Sequence, residues 1–482
     1  MTDSVVNTPR PTPVMLRSLL RPQSSCRNTQ RCIATLRATT SFECFKLPVI
    51  GWAAGRRLVP GRRSRTGYGP GGAPLSKAPD NSEGAGPQPP IKVGGDWRTA
   101  RIPGVDAARC LALLGMLAVN ILPAQTAAEE PTMTTLLLAG RASALFAVLA
   151  GVSLAFISGG PRRMKGLPLK AAKAGLAVRA AFILVLGLVL AYADPGVAII
   201  LAYYGVMFLL AVPLLGLPPW ALAALAATFA TVPPVLLLGL QGFLPSPDTD
   251  NPTLTLVLED PVGSASLLIF TGFYPALPWM AYLCAGLAIG RLPLSSRRTA
   301  AWLLAGGALL ASAAWAVSGF LLGPGGGFGQ LVAYTPGNDP QVVREVVVYG
   351  PENGYPGGSW WWLAVVGPYS PMPLELLHTI GTSAAVLGLV LLLGKAFDPI
   401  RAVLVPAGSM TLTLYSAHLL FLASGVLGEQ PFASLAVQAG AAIVFAVIWH
   451  GSGRRGPLEA VVGAVSGKAR ARILATGPNR MG

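Results

Sequence analysis

The stretch LLLAGRASALFAVLAGVSLAF (136–156) holds one charged side chain, Arg141, among twenty-one residues. About 20 such residues carry a helix across a bilayer core roughly 30 Å thick. Its small residues, Gly140, Ala144, Ala147, Gly151 and Ala155, recur every three or four positions, the spacing that lets two membrane helices lie close together. Arg141 stands about five residues into this helix. It either faces the interior of a bundle or reaches back to the membrane surface.

Comparable runs fall near 107–122, 175–193, 197–216, 219–240, 266–290, 300–322, 373–394, 402–425 and 432–450, which with 136–158 makes ten. The chain is 52% hydrophobic and 12% charged, with mean hydropathy +0.57. Soluble chains are about 25% charged. The reading is an all-α, polytopic integral membrane bundle of about ten transmembrane helices.

Charge tests that count. PRRMKGLPLKAAK (161–173), RLPLSSRR (291–298), GKAFDPIRA (394–402) and both basic ends fall on one side when the ten segments alternate. AQTAAEEPT (124–132), PSPDTDNP (245–252) and the long loop 323–372 fall on the other. That is the positive-inside pattern, with both termini in the cytoplasm. Residues 1–100 read as a basic disordered region or an over-extended gene start, 101–452 as the membrane domain, and 453–482 as a basic cytoplasmic tail. Trp360, Trp361 and Trp362 in the long loop suit an interfacial belt or a lid.

The net charge of +16 belongs to this topology, because residues 1–101 alone hold 16 of the 36 Lys and Arg. No recognition motif accompanies it, so nucleic acid is excluded as a partner and membrane lipids are expected. The five cysteines form no CxxC pair or His/Cys cluster, so neither a disulfide scaffold nor a metal site is expected.

The polar groups inside apolar runs carry the candidate chemistry. In RIPGVDAARCLALLGMLAVN (101–120), Asp106 and Arg109 share a helix face and can pair at the cytoplasmic mouth. Asn120 closes the same helix at its outer end. His378 lies in PMPLELLHTIG (371–381), one turn after Glu375, an arrangement that suits a general base or a hydrogen-bonded interface histidine. Thr411, Tyr415 and His418 form a polar stripe on an apolar helix, either glue between helices or the lining of a cavity. FYPALPWMAYLCAGLAIGR (273–291) adds Tyr274, Trp279 and Tyr282 beside two prolines, read as a broken helix walling an outward-facing cavity.

The opening motif resembles the R-x-x-x-x-D-x-x-R-G helix, ending in Asn, of the heparan-α-glucosaminide N-acetyltransferase-like and YeiB-like membrane families. GRASALFAVLAGVSLAF, YPALPWMAYLCAGLAIGRL, PLELLHTIGTSAAVLGL, AGSMTLTLYSAHLL and RRGPLEAVV resemble motifs of their actinobacterial members, over about 100–463. The resemblance implies transfer of an acyl group from acyl-CoA, acetyl-CoA foremost, to an envelope sugar or lipid acceptor. It implies no tightly bound cofactor, while the Ala, Gly, Leu, Val and Arg bias of the chain suggests a GC-rich bacterial source and hence a plasma-membrane location. A histidine between the first two helices serves the chemistry in such families. NILPAQTAAEEPTMTTLLLAGR (120–141) has none, and Cys110 replaces the glycine after the arginine.

On this reading His378 with Glu375 is the first substitute base, and His418 with Tyr415 the next. Asn120 and Arg141 polarise the acyl carbonyl or hold the acceptor, with Trp279 and Tyr282 beside them. Asp106 and Arg109 meet the anionic donor. A transporter or flippase for a small metabolite or lipid-linked sugar, and a non-catalytic scaffold, are the competing readings. No oligomeric state follows from the sequence.

Overall fold

A computed structural model describes residues 102–244, 251–351, 354–394 and 398–476. The expectations for residues 1–100, and for Asp248 and Asp250 of the acidic loop, lie outside these residues. Every regular element among the described residues is helical.

Helix α1 (Pro103–Ile121) begins with a proline, whose missing N–H costs nothing in a first turn, and carries Asp106 at the positive end of the helix dipole. Helix α2 (Met133–Leu138) is capped by the Thr132 hydroxyl, which accepts from the Thr135 N–H. Gly140, at φ 72°, turns the chain into α3 (Arg141–Ile157). A Cβ at Gly140 would lie 2.9 Å from the Tyr369 nitrogen, so this turn and this close approach both require glycine. Helices α4 (Gly166–Leu190) and α5 (Ile200–Ala211) pack antiparallel, and α6 (Pro219–Gly239) follows a 3₁₀ turn.

Two short helices, α7 (Leu254–Glu259) and α8 (Pro261–Ser266), lead through a π-helical turn over Leu267–Thr271 into α9 (Ala276–Gly290), bent by 49° from what precedes it. The small-residue face of α3 meets α9: a methyl group on Gly286 would collide with the Val148 carbonyl. The stripe read in 140–155 is therefore a helix interface, as its spacing requires. Helix α10 (Arg297–Leu322) precedes α11 (Gly327–Tyr334) and α12 (Pro340–Tyr349), and packs against α13 (Pro373–Leu393). Helices α14 (Asp398–Gly408) and α15 (Thr411–Ala423) are bent by 72° at Ser409–Met410. Helices α16 (Pro431–Gly451) and α17 (Pro457–Ala475) complete the fold.

Among the described residues, seven helices are long and apolar enough to cross a membrane, nine if each bent pair is one span. The ten-span expectation is not confirmed at 197–216, where a helix of only 12 residues, rising about 18 Å, is continued by a 3₁₀ turn over Pro213–Gly216. The segments 266–290 and 402–425 are each two helices rather than one. The stretch 457–475, read as tail, is a helix packed along α4.

The loop 323–372 also differs from its reading. It builds two helices and a small core of its own, with Leu331, Val343, Tyr355, Trp362 and Met372 buried. Trp362 is fully buried and donates its indole N–H to the Pro356 carbonyl, so it belongs to this core and not to an interfacial belt. Trp360, at 55% exposed, fits the belt.

At the opposite end of the bundle, buried Arg291 ties three elements together. Its guanidinium donates to the Ala155, Ser158 and Gly160 carbonyls, to the Ser158 hydroxyl, and to the Leu215 carbonyl. Those carbonyls sit at helix C-terminal ends, where a cation meets both orphan acceptors and the negative end of the dipole. Burial, with Arg163 nearby, lowers Arg291 to about 10, which leaves it charged at neutral pH.

Candidate functional site

Among the described residues, two of the cavities each contain the break of a bent span. The first, of about 270 Å³, contains Gly408, Ser409 and Thr411 from the α14–α15 break. Arg109, Arg179 and Arg455 line it together with Glu459, Ser153, Tyr204 and Tyr415. Three guanidinium groups against two carboxylates, Glu459 and the Asp106 paired with Arg109, leave this cavity with an excess of positive charge. The second, of about 730 Å³, contains Gly272 and Pro275 from the break before α9. Its lining is mostly neutral: Gln125, Thr134, Thr135, Gln241, Tyr349, Tyr355 and Tyr369, with Glu345 as its one acid.

Local structure explains the first cavity. Arg109 pairs with Asp106 at 2.5 Å and also donates to the Ser153 hydroxyl on α3. Arg179 lies within electrostatic reach of both Arg109 and Glu459. Glu459, in the first turn of α17, accepts from the Leu412 and Thr413 N–H groups at 2.8 and 3.2 Å and from the Thr413 hydroxyl at 2.6 Å. It thus caps the N-terminus of α15 from another helix, supplying acceptors where the bend strips α15 of them.

A hydrogen-bonded chain starts next to residues of both cavities, although its own members line neither. Met116 lines the first cavity and Val119 the second. Asn120 stands next to Val119, and its amide nitrogen is 3.2 Å from His418 Nε2. His418 Nδ1 is 2.7 Å from the Gln438 amide oxygen, and Gln438 donates its own amide to the Ser434 hydroxyl at 3.0 Å. The Gln438 orientation makes Nδ1 the protonated nitrogen of a neutral ring. Nε2 is then an acceptor, held by the Asn120 amide. Buried tyrosines complete the partition: Tyr204 and Tyr415 border the first cavity, Tyr369 the second, and Tyr274 packs against Tyr369 at 6.0 Å. Burial pushes the Tyr369 hydroxyl up to about 12, so it stays protonated at neutral pH.

The remaining sequence candidates form a separate group. Tyr282 donates to the Thr379 hydroxyl at 2.8 Å, which donates to the Glu375 carbonyl at 2.7 Å. Trp279 packs edge-on to Tyr282 and to Tyr274. The Glu375 carboxyl is buried, and its Oε2 has no hydrogen-bond partner among the described residues. Arg141 donates to the Ala139 carbonyl and lies within electrostatic reach of Glu375, His378 and Tyr282. His378 Nδ1 is 3.0 Å from the Ala311 carbonyl of α10.

The geometry thus regroups the candidates. Asn120, expected beside Arg141 and His378, pairs with His418 instead. His378 and Glu375 share a helix face, and like Asn120 and His418 they line neither cavity. Arg109 and Tyr415 line the first cavity as polar residues on their helices. Arg179, Arg455, Glu459 and Gln438 were not singled out from the sequence. Arg179 had a signal, a lone charge in the apolar run 175–193. Glu459 had none beyond its motif, because the helix end it caps lies 46 residues away.

No curated protein matches the chain. The family model described as heparan-alpha-glucosaminide N-acetyltransferase, catalytic, matches residues 101–319. The match spans α1 to most of α10, and with it Arg109, Asn120, Arg141 and Arg179. Through this segment, somewhat under half of the chain, the protein is similar to the heparan-α-glucosaminide N-acetyltransferase catalytic family, which together with its apolar helices supports a multi-pass, acyltransferase-like membrane protein.

Proposed function

We propose that the protein is a bacterial plasma-membrane acetyltransferase. It takes acetyl-CoA into the first cavity from the cytoplasm and delivers the acetyl group to an envelope sugar or lipid acceptor in the second. The observation that supports the reading is the Asn120–His418 bond, with Asn120 next to Val119 of the neutral, tyrosine-rich cavity and His418 one turn after Tyr415 of the electropositive one. Arg109 and Arg179 suit the donor's phosphates, with Asp106 orienting Arg109. The hydroxyl, amide and aromatic lining of the second cavity suits a sugar.

In the proposed step the acceptor hydroxyl or amine attacks the thioester carbonyl. His418 Nε2 takes its proton, the new C–O or C–N bond forms, the C–S bond breaks, and the proton passes to the departing thiolate. Gln438 keeps the ring in the required tautomer, and the Asn120 amide, released from Nε2, donates to the developing oxyanion. Tyr415, one turn before His418, borders the donor's path. Arg141, Glu375, His378, Trp279 and Tyr282 form the wall behind the acceptor cavity, and His378 with Glu375 is the competing base.

The test is transfer of label from radiolabelled acetyl-CoA to envelope extract by the protein in lipid nanodiscs. His418→Ala and Asn120→Ala should each lower the rate 10²–10⁴-fold. If His378→Ala abolishes transfer while His418→Ala does not, the base is His378. The paired breaks, one per cavity, favour a second reading, transport by alternating access. Uptake of a labelled sugar into vesicles without any acyl donor would establish that reading against the first.

A further inference from the structure

The C-terminal helix α17 packs on one side only. It lies antiparallel to the first half of α4: Glu459, in its first turn, is within electrostatic reach of Arg179, while Ser466 and Arg470 come against Gly175, nearer the start of α4. Helix α4 begins directly after the basic loop PRRMK (161–165), so α17 leads from beside the first cavity toward the basic end of the bundle. Val462 is buried on the packed side, and the stem of Arg470 lies there against Gly175. The other side exposes Ala460, Val461, Ala464, Val465, Lys468 and Arg472.

A helix face turned to water carries charges of both signs. Among the described residues of α17, the charged groups on the exposed face are Lys468 and Arg472 alone. Val461 and Val465, at 46% and 43% exposed, come first along the helix. Lys468 and Arg472 follow about one and two turns later, toward the basic end. Four residues apart, they are neighbours on one face, close enough to share a single phosphodiester. Apolar side chains at one level with cations beyond them are what an interfacial helix offers a bilayer.

We infer that the outer face of α17 binds an acidic phospholipid in the leaflet at the basic end of the bundle. Its phosphate lies between Lys468 and Arg472, and its acyl chains lie against Val461 and Val465. The assignment does not depend on the reaction the protein performs, and α17 is outside the segment that matches the family model. It makes the last helix of the chain a lipid-reading element rather than a solvated tail.

The experiment is hydrogen exchange of the intact chain in phosphatidylcholine nanodiscs with and without phosphatidylglycerol. Phosphatidylglycerol should slow exchange over residues 464–474 about 30-fold, the effect of two interfacial cations. Lys468→Gln and Arg472→Gln should each remove about fivefold of that slowing, and the double variant nearly all of it. Arg297→Gln with Arg298→Gln, which removes the same charge from the exposed start of α10, should leave it intact. Full slowing in the α17 double variant, or an equal loss from the α10 pair, would overturn the assignment.

Lys468→Arg with Arg472→Lys keeps both charges and should keep the slowing, which separates lost binding from a lost helix; loss there too would also overturn it. Inorganic phosphate that slows the same residues in pure phosphatidylcholine would give the two cations to a free anion. Slowing in pure phosphatidylcholine that appears only when two copies share a nanodisc would give the face to a second copy. Either result would overturn the lipid assignment.

Discussion

At the scale of single residues, the strongest structural commitment in the molecule is Arg291. Its guanidinium meets carbonyls from the ends of α3 and of the 3₁₀ turn after α5, while it stands itself at the end of α9. No carboxylate is needed, because helix C-termini supply the negative potential. Replacing it strands several buried acceptors at once. Arg291→Met should lower stability by about 2–4 kcal/mol, read as a fall in the unfolding midpoint in detergent. Arg291→Lys should recover only part, since an ammonium cannot span the fork.

The residue scale also shows what a linear reading reaches. Asn120 and His418 are each visible as polar groups in apolar runs, but 298 positions separate them and nothing local joins them. The Glu375–His378 pair drew attention because its members are neighbours in sequence. The structure gives His378 a backbone carbonyl from α10 instead. His418→Gln should retain the fold, since an amide can still bond Gln438 or Asn120, while losing transfer 10²-fold or more. Near-wild-type rates in that variant would remove His418 from the chemistry.

At the scale of elements, apolar length and small-residue spacing made α1, α3, α4 and α13 legible. The bends were less so. FYPALPWM announces the break before α9 through its prolines. The break at Ser409–Met410 follows Pro406 and Gly408, and α15 tolerates it because Glu459 arrives from α17 to satisfy its first N–H groups. Glu459→Ala should destabilise the protein by about 1–2 kcal/mol and loosen α15, with hydrogen exchange faster at Leu412 and Thr413 than elsewhere in that helix. The α3–α9 contact makes a second demand. Gly286→Leu should prevent close packing and lower the folded yield sharply, whereas the same change at Gly306, which faces open space, should be tolerated.

For the whole molecule, the distribution of positive charge gives one orientation. Cysteine labelling can check it: Ser295→Cys, between α9 and α10, should react with an impermeant thiol reagent only in inverted vesicles. Gln330→Cys, on exposed α11, should react only in right-side-out ones. Labelling of both from one side would overturn the topology. The lid-like loop was legible as a long Gly-rich, aromatic segment. Its internal core was not, since Trp362 and Val343 meet only after the chain has folded back.

The tyrosine partition has a consequence of another kind. Two water-accessible hollows reaching toward each other thin the insulating layer of the membrane to the depth of a few side chains. The voltage and any proton gradient across the membrane would then fall largely over Tyr204, Tyr274, Tyr369 and Tyr415. Their bulk is what keeps the hollows from joining into a conductive pore. A cell carrying a smaller residue at one of these positions would meet the defect first as lost respiration-driven energy, before any missing product.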